Sequence, residues 1–348
     1  MQMQHFQDRR DRAEVPEDVD VLKERERLAT SNDNIKVTGL RKVFKGKEPK
    51  VAVRSLTFGS VRGEVFGLLG VNGAGKTTTL SMLTGDLTPS RGQAVLHGHN
   101  VATERDEVYK ILGYCPQFDA LFDLLTGEET LLFYGRIRGI PEPQLQALVN
   151  MAIRNMTLEP YRKALVHTYS GGNKRKLSMA VAFMGAPRCV FLDEPSTGMD
   201  PSARRAMWET ILASRRGRSI ILTTHLMEEA DALCSRIGIM VNGQLACLGS
   251  SQRLKQRFGQ GYQVELKTSN PALLPQLQQL VNSIADQSTM LEEHLGHVKY
   301  QLGTKLSHIF RTIEEARDRL SIVDYTISQT SLEQVFLSFA KDQAPEDN

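Results

Sequence analysis

Five apolar residues, Val65-Phe66-Gly67-Leu68-Leu69, run straight into Gly70-Val71-Asn72-Gly73-Ala74-Gly75-Lys76-Thr77, and this junction limits the chain to few folds. The apolar run reads as a buried strand that stops at a glycine-rich turn. Residues from about Lys76 to Leu83 read as a helix, with Gly85 behind them as a C-terminal stop. The residues at the junction match GxxxxGK[ST] in the strand-then-helix setting that gives the pattern its meaning. Its glycines let the backbone curl so that several N–H groups point at a phosphate chain, and the helix adds its positive end. Lys76 is long enough to reach β- and γ-phosphates, and the Thr77 hydroxyl suits Mg²⁺. Gly70, Asn72, Gly73, Gly75, Lys76, Thr77 and Thr78 are therefore the nucleotide-binding candidates.

Two more strand ends carry chemistry. Cys189-Val190-Phe191-Leu192-Asp193-Glu194 is an apolar run ending in two acids. A buried strand there puts Asp193 at its carboxyl end, where ligands sit in parallel α/β sheets, suited to a metal-bound water beside the phosphate loop. Glu194 then points toward the γ-phosphate as the base for an attacking water. A third apolar run, Ile220-Ile221-Leu222-Thr223-Thr224, ends at His225, 31 residues after Glu194. A lone histidine is more often structural, but one at a strand end aimed at the same crevice reads as a γ-phosphate contact.

Composition sets the frame. The 348 residues allow two or three domains, and 41% hydrophobic residues suffice for real cores. Lys plus Arg is 43 against 40 for Asp plus Glu, a net charge of +3 that is too balanced for a general polyanion binder. No apolar run approaches the ~18 residues that cross a bilayer, and the N-terminus lacks a secretory pattern. Cys115, Cys189, Cys234 and Cys247 form no CxxC pair and read as reduced, buried thiols. Residues 1–33 are dense in charge, with 14 of the first 27 charged, and read as a linker with a short surface helix around Val21 to Leu28. Residues 34–255 form the nucleotide-binding domain, with a helical part at about 118–180. Within it Arg236 to Cys247 reads as a hairpin with Asn242-Gly243 as a type I′ turn. Residues 256–342 read as a small α+β domain with strands at Tyr262–Lys267, Val298–Leu302 and Asp324–Ser328, and 343–348 as a tail.

The segment Tyr169-Ser170-Gly171-Gly172-Asn173, 23 residues before Asp193 counting from Ser170, resembles the LSGGQ signature of ATP-binding cassette (ABC) ATPases. Gln117, after Gly113-Tyr-Cys-Pro116, is similar to the family's Q-loop glutamine. Ser196-Thr-Gly-Met-Asp200 resembles the D-loop, His225 the switch histidine, and Phe44 the adenine-stacking aromatic. Tyr-Ser-Gly-Gly-Asn-Lys-Arg-Lys at 169–176 and Glu-Pro-Ser-Thr-Gly-Met-Asp-Pro at 194–201 resemble the A subfamily, whose members mostly move lipids. Gln329-Thr-Ser-Leu-Glu-Gln-Val-Phe336 is similar to the regulatory domain that follows cassettes there. The charged lead-in is similar to the linker after the subfamily's second membrane domain, and the phospholipid-exporter branch looks nearest. Asn173 stands where the wider family has Gln, and Tyr169 where it has Leu.

The resemblance implies a P-loop NTPase fold with a helical subdomain and an antiparallel β-subdomain, followed by the α+β domain. It implies ATP and Mg²⁺ as cofactors, with Thr77, Gln117 and Asp193 at the metal. Glu194, His225 and Gln117 become the catalytic set, and Ser170, Gly171, Gly172 and Asp200 serve a second cassette's ATP. The other implied partners are transmembrane domains and, through them, a lipid substrate, which places the chain at the cytosolic face of a membrane as part of a longer polypeptide. A stand-alone ATPase subunit of a bacterial-type exporter stays open, as does a soluble non-transport cassette. A basic tail or aromatic-basic patch is lacking, so no nucleic-acid partner is expected. Lys174, Arg175 and Lys176 sit in the first turn of the helix after the signature, where cations oppose the helix dipole. They read either as a positive field facing ATP or an acidic surface, or as a solvated basic face. Asp200-Pro201 reads as an N-cap with proline at the first helical position.

Overall fold

A computed structural model describes residues 18–46, 49–259, 261–285, 288–294 and 297–341. The chain divides into two compact units, Ser251–Ser338 and the remainder.

In the larger unit the strands are β1 (Ile35–Phe44), β2 (Lys50–Ser60), β3 (Val65–Leu69), β4 (Arg91–Leu96), β5 (His99–Asn100), β6 (Leu112–Cys115), β7 (Cys189–Asp193), β8 (Ser219–Thr224), β9 (Arg236–Val241) and β10 (Gln244–Gly249). The helices are α1 (Val19–Thr30), α2 (Lys76–Leu83), α3 (Arg105–Ile111), α4 (Gly127–Ile137), α5 (Glu142–Asn155), α6 (Gly171–Phe183), α7 (Pro201–Ser214) and α8 (Met227–Leu233). The strands form one sheet in the order β5-β4-β1-β2-β10-β9-β3-β8-β7-β6. Strands β9, β3, β8, β7 and β6 run parallel. Strands β5, β4, β1 and β2 run antiparallel. The two parts meet at one register pair, Gln244 with Ser55.

The physical cause is local. Strands β3, β7 and β8 are buried at every residue, as strands covered on both faces must be. The β9–β10 hairpin turns at Asn242 (φ 49°) and Gly243 (φ 77°), both left-handed, as a type I′ turn requires. The stretch read as helix-rich contains α4, which starts with a capping box between Thr126 and Glu129, and α5.

The charged lead-in departs from the linker expectation. Helix α1 packs on β2 and β10, burying Val21, Glu24 and Leu28. Asp18 caps it by accepting from the Asp20 amide. Glu24 meets Arg236 at 2.7 Å and Arg27 at 2.9 Å, and accepts from the Gly59 amide at 3.0 Å. Gly59 admits the helix closely, because a Cβ there would collide with Leu28 and Asp33. Residues 1–17 and the expected tail at 343–348 lie outside the described residues.

The smaller unit holds α9 (Ser251–Phe258), β11 (Tyr262–Thr268), α10 (Leu274–Ile284), β12 (Ser288–His294), β13 (His297–Leu302), α11 (Leu306–Ala316), β14 (Ile322–Gln329) and most of α12 (Leu332–Ala340). Its antiparallel sheet has the order β12-β13-β11-β14. Val264, Leu266, Val298 and Leu302 of the sheet pack with Leu277, Val281, Ile309 and Ile313 of the helices. Strand β12 is the addition to the three strands expected from the sequence.

Candidate nucleotide site

Four neighbouring parallel strands, β3, β8, β7 and β6, end on the same edge of the sheet. Beyond β3 comes the glycine loop, beyond β8 His225, beyond β7 Glu194, and beyond β6 Gln117. Register aligns them: Leu69 pairs with Thr224, Asp193 with Thr223, and Cys115 with Leu192. The sheet therefore brings together side chains from residues 76 to 225.

The loop needs its glycines. Gly75 has φ 104°, and a Cβ there would lie 2.6 Å from the Ala52 carbonyl. A Cβ on Gly70 would lie 2.9 Å from the Met240 carbonyl. The first turn of α2 starts at Lys76, so its free N–H groups face the loop. Asn72, Gly73 and Thr77 are exposed, and Thr78 half-buried, along the same turn. Lys76 is buried, and its Nζ donates to the Gly70 and Val71 carbonyls at 2.7 and 3.2 Å. Burial pushes its ammonium below the ordinary lysine range, while Glu194 and Asp193 pull it back.

Glu194 is the meeting point. Its Oε1 lies 3.2 Å from His225 Nδ1 and 3.8 Å from Lys76 Nζ, and its Oε2 accepts from Gln117 Nε2 at 3.3 Å. Thr197 Oγ1 donates to the same Oε2 at 3.4 Å. The backbone of Glu194 is left-handed, φ 47°. A non-glycine residue there costs ~1–2 kcal/mol, so the surrounding bonds must hold it. Asp193 is buried, and its Oδ1 accepts from Thr223 Oγ1. Burial pushes its carboxyl above the usual range. The Thr223 and Thr77 hydroxyls act against that rise, Glu194 adds to it, and Lys76 opposes it. The other carboxylate oxygen, Oδ2, is buried without a hydrogen-bond partner.

The remaining candidates stand apart from this cluster. Ser170 is exposed, caps α6 and accepts from the Asn173 amide at 3.3 Å. Gly171 and Gly172 follow it, and a Cβ on either would meet nothing within 4 Å. Asp200 caps α7 as expected, accepting from the Ser202 and Ala203 amides at 3.0 Å, with Pro201 first in the helix. Phe44 stands at the exposed end of β1, where Lys42 Nζ lies 5.4 Å from its ring centroid. Among the described residues none of Ser170, Gly171, Gly172 and Asp200 bonds to Lys76, Asp193 or Glu194.

The structure corrects the reading of the basic cluster in α6. Arg175 is not part of a solvated basic face. It is 4% exposed and turned inward onto backbone carbonyls beyond β6 and β7. Lys174 pairs with Asp123 at 3.3 Å, and Lys176 donates to Thr157 Oγ1 at 3.1 Å. Sequence reasoning also missed Thr223, whose hydroxyl serves both Asp193 and the Glu194 amide. It missed Glu229 too, a buried carboxyl that accepts from Trp208 Nε1 at 3.1 Å and whose pKa is raised by burial.

A glycine loop and a strand-end acid pair on one edge of a parallel sheet define a P-loop nucleotide-binding protein. Comparison with known proteins narrows the class. The family profile for the ABC transporter matches residues 53–197, and that for the ABCA1-like, C-terminal R1 regulatory domain matches residues 259–329. The phospholipid-transporting ATPase ABCA3 of Homo sapiens is 48% identical over 344 residues, covering 95% of this chain and 20% of its own length. ATP-binding cassette sub-family A member 7 of Rattus norvegicus is 47% identical over 339 residues, covering 95% of this chain and 16% of its own. The chain thus spans about a fifth or less of these relatives. Among solved structures, the ATP binding subunit of an ABC transporter matches with TM-score 0.60 and 28% identity over 65% of this chain and 93% of that one. The ADP- and Pi-bound dimeric cassette MJ0796 matches in fold, with TM-score 0.58 and 20% identity over 62% of this chain and 98% of that one. The chain belongs to the ABC family, subfamily A: an ABC ATPase cassette followed by an R1 regulatory domain.

Proposed function

We propose that this chain binds and hydrolyses MgATP to power lipid movement by transmembrane domains of a longer subfamily A transporter. The observation that carries the reading is the Glu194 carboxylate, held among Lys76, His225 and Gln117 at 3.8, 3.2 and 3.3 Å. Lys76 and the start of α2 bind the β- and γ-phosphates. The unpartnered Asp193 Oδ2 and the Thr77 hydroxyl beside that carboxylate fit Mg²⁺. Magnesium asks for only one or two protein oxygens beyond phosphates and waters. When bound, the ion neutralises charge on the phosphates. Glu194 takes the proton of the attacking water, and His225 and Gln117 orient the groups around it. Phe44 stacks on the adenine.

The signature serves a second cassette. Gly171 and Gly172 have open space around them, so nothing among the described residues requires glycine there. An approaching phosphate does, since a side chain would hold it off. The second cassette, the membrane domains and the cytosolic face of a membrane complete the assembly. No described helix is long and apolar enough to cross a membrane.

The test is sedimentation of the Glu194→Gln chain with and without MgATP, beside its turnover. ATP binding persists and hydrolysis falls at least a hundredfold, because an amide cannot take a proton. Hydrolysis at the wild-type rate removes Glu194 as the base. An ATP-dependent dimer means that two copies complete both sites. A monomer that binds ATP means that the signature comes from a different cassette.

A further inference from the structure

Arg175 is five residues beyond Ser170, in the first half of α6, and is almost fully buried. Its guanidinium faces two loops at once. On the side beyond β6, Nη1 donates to the carbonyls of Pro116 and Gln117, the latter at 3.2 Å, and pairs with Asp119 Oδ1 at 3.2 Å. On the side beyond β7, Nη2 donates to the carbonyls of Asp193 and Glu194, the latter at 3.0 Å. Nε donates to the Pro195 carbonyl at 2.9 Å.

We propose that Arg175 is a positioning residue for hydrolysis: it clamps the left-handed turn at Glu194 to the Gln117 loop and ties both to the signature helix. The inference rests on the ATPase reading for its kinetic consequence, but not for its geometry. Three consecutive carbonyls, 193 to 195, turn toward one side chain, and the middle residue has φ 47°. That turn aims the Glu194 carboxylate at Gln117 Nε2, whose own backbone carbonyl Arg175 also holds. The spacing of base and glutamine is thus set by one planar fork. Only arginine has five N–H donors in fixed directions, and a lysine ammonium offers three from a point. Arg175 reaches these carbonyls from α6, which Ser170 caps and whose first turn carries Gly171 and Gly172. A shift of the signature helix therefore moves the backbone of the base and of Gln117 in the same step.

The experiment compares the whole chain with its Arg175→Lys and Arg175→Met variants. ATP affinity, read with a fluorescent nucleotide, stays within about threefold, because the phosphate contacts come from the loop and α2. Turnover falls at least tenfold in Arg175→Lys with KM little changed. Amide hydrogen exchange speeds up at residues 117–119 and at 193, 194, 196 and 197 in both variants, while the centre of β8 keeps wild-type protection. Turnover within twofold of wild type in Arg175→Lys, or unchanged exchange at both loops, overturns the proposal. If β8 loses protection together with the loops, Arg175 is a general fold element and the clamp is refuted. The exchange result stands even if the wild-type chain does not hydrolyse ATP, so failure of the ATPase reading is distinguishable from failure of the clamp.

Discussion

Replacing Glu24 by glutamine tests whether the charged lead-in belongs to the cassette core. Glu24 is 4% exposed and bonded to two guanidiniums and the Gly59 amide. Burial opposes its charge, yet Arg27 and Arg236 hold its pKa at about 2, below the ordinary 4.5. A carboxyl with a lower pKa in the folded state stabilises the fold above its unfolded pKa, and the gain is lost as pH falls from 4.5 toward 2. At 1.36 kcal/mol per unit, a shift of this size corresponds to ~3 kcal/mol at neutral pH. Breaking a buried pair from one side typically costs 3–5 kcal/mol, which agrees. The assay is urea unfolding followed by fluorescence of Trp208, the single tryptophan of the chain, which lies in the larger unit. At pH 7 Glu24→Gln loses about 3 kcal/mol, and its gap from wild type narrows as pH falls from 5 to 3. A loss under about 1 kcal/mol, or a gap that does not change with pH, refutes the reasoning.

Two further substitutions separate binding from folding. Lys76→Ala lowers ATP affinity at least tenfold in a nucleotide titration and leaves the unfolding midpoint no lower, since burial of that ammonium opposes its charge. Gly172→Ala gains a few tenths to about 1 kcal/mol of stability, because alanine is the better helix former and meets no neighbour. The same change weakens ATP-driven association with a second cassette in sedimentation, so the two readouts move in opposite directions.

The sheet edge that gathers Lys76, Asp193, Glu194 and His225 was legible because three of its strand ends carry their own local marks. A glycine loop, an acid pair and a histidine each mark the end of an apolar run, while Gln117 was found only through the resemblance because β6 (Leu112–Cys115) was not read as a strand. Helix α1 was not legible as core. Glu24 and Arg27 look solvated in a charged run, and the partner that buries Glu24 is Arg236, far along the chain. No periodicity announces such a pair. Strand β12 was missed for another reason. Met290 and Leu291 are both exposed, so the strand has no alternating face and is held by backbone pairing to β13. Arg175 was visible only as an oddity, a cation where the helix dipole disfavours one. Four of its five carbonyl partners belong to loops whose paths the sequence does not spell out, and the fifth ends β7.

Helix α1 lies across β2 and β10, the two strands joined by a single register pair where the antiparallel and parallel parts of the sheet meet. It acts as a splint over that seam. A pull on the chain ahead of Val19 loads the splint and, through the Glu24–Arg236 pair, the start of β9. Strand β9 lies directly against β3, which leads into the glycine loop. Tension on the lead-in is thus one strand removed from the glycine loop that follows β3.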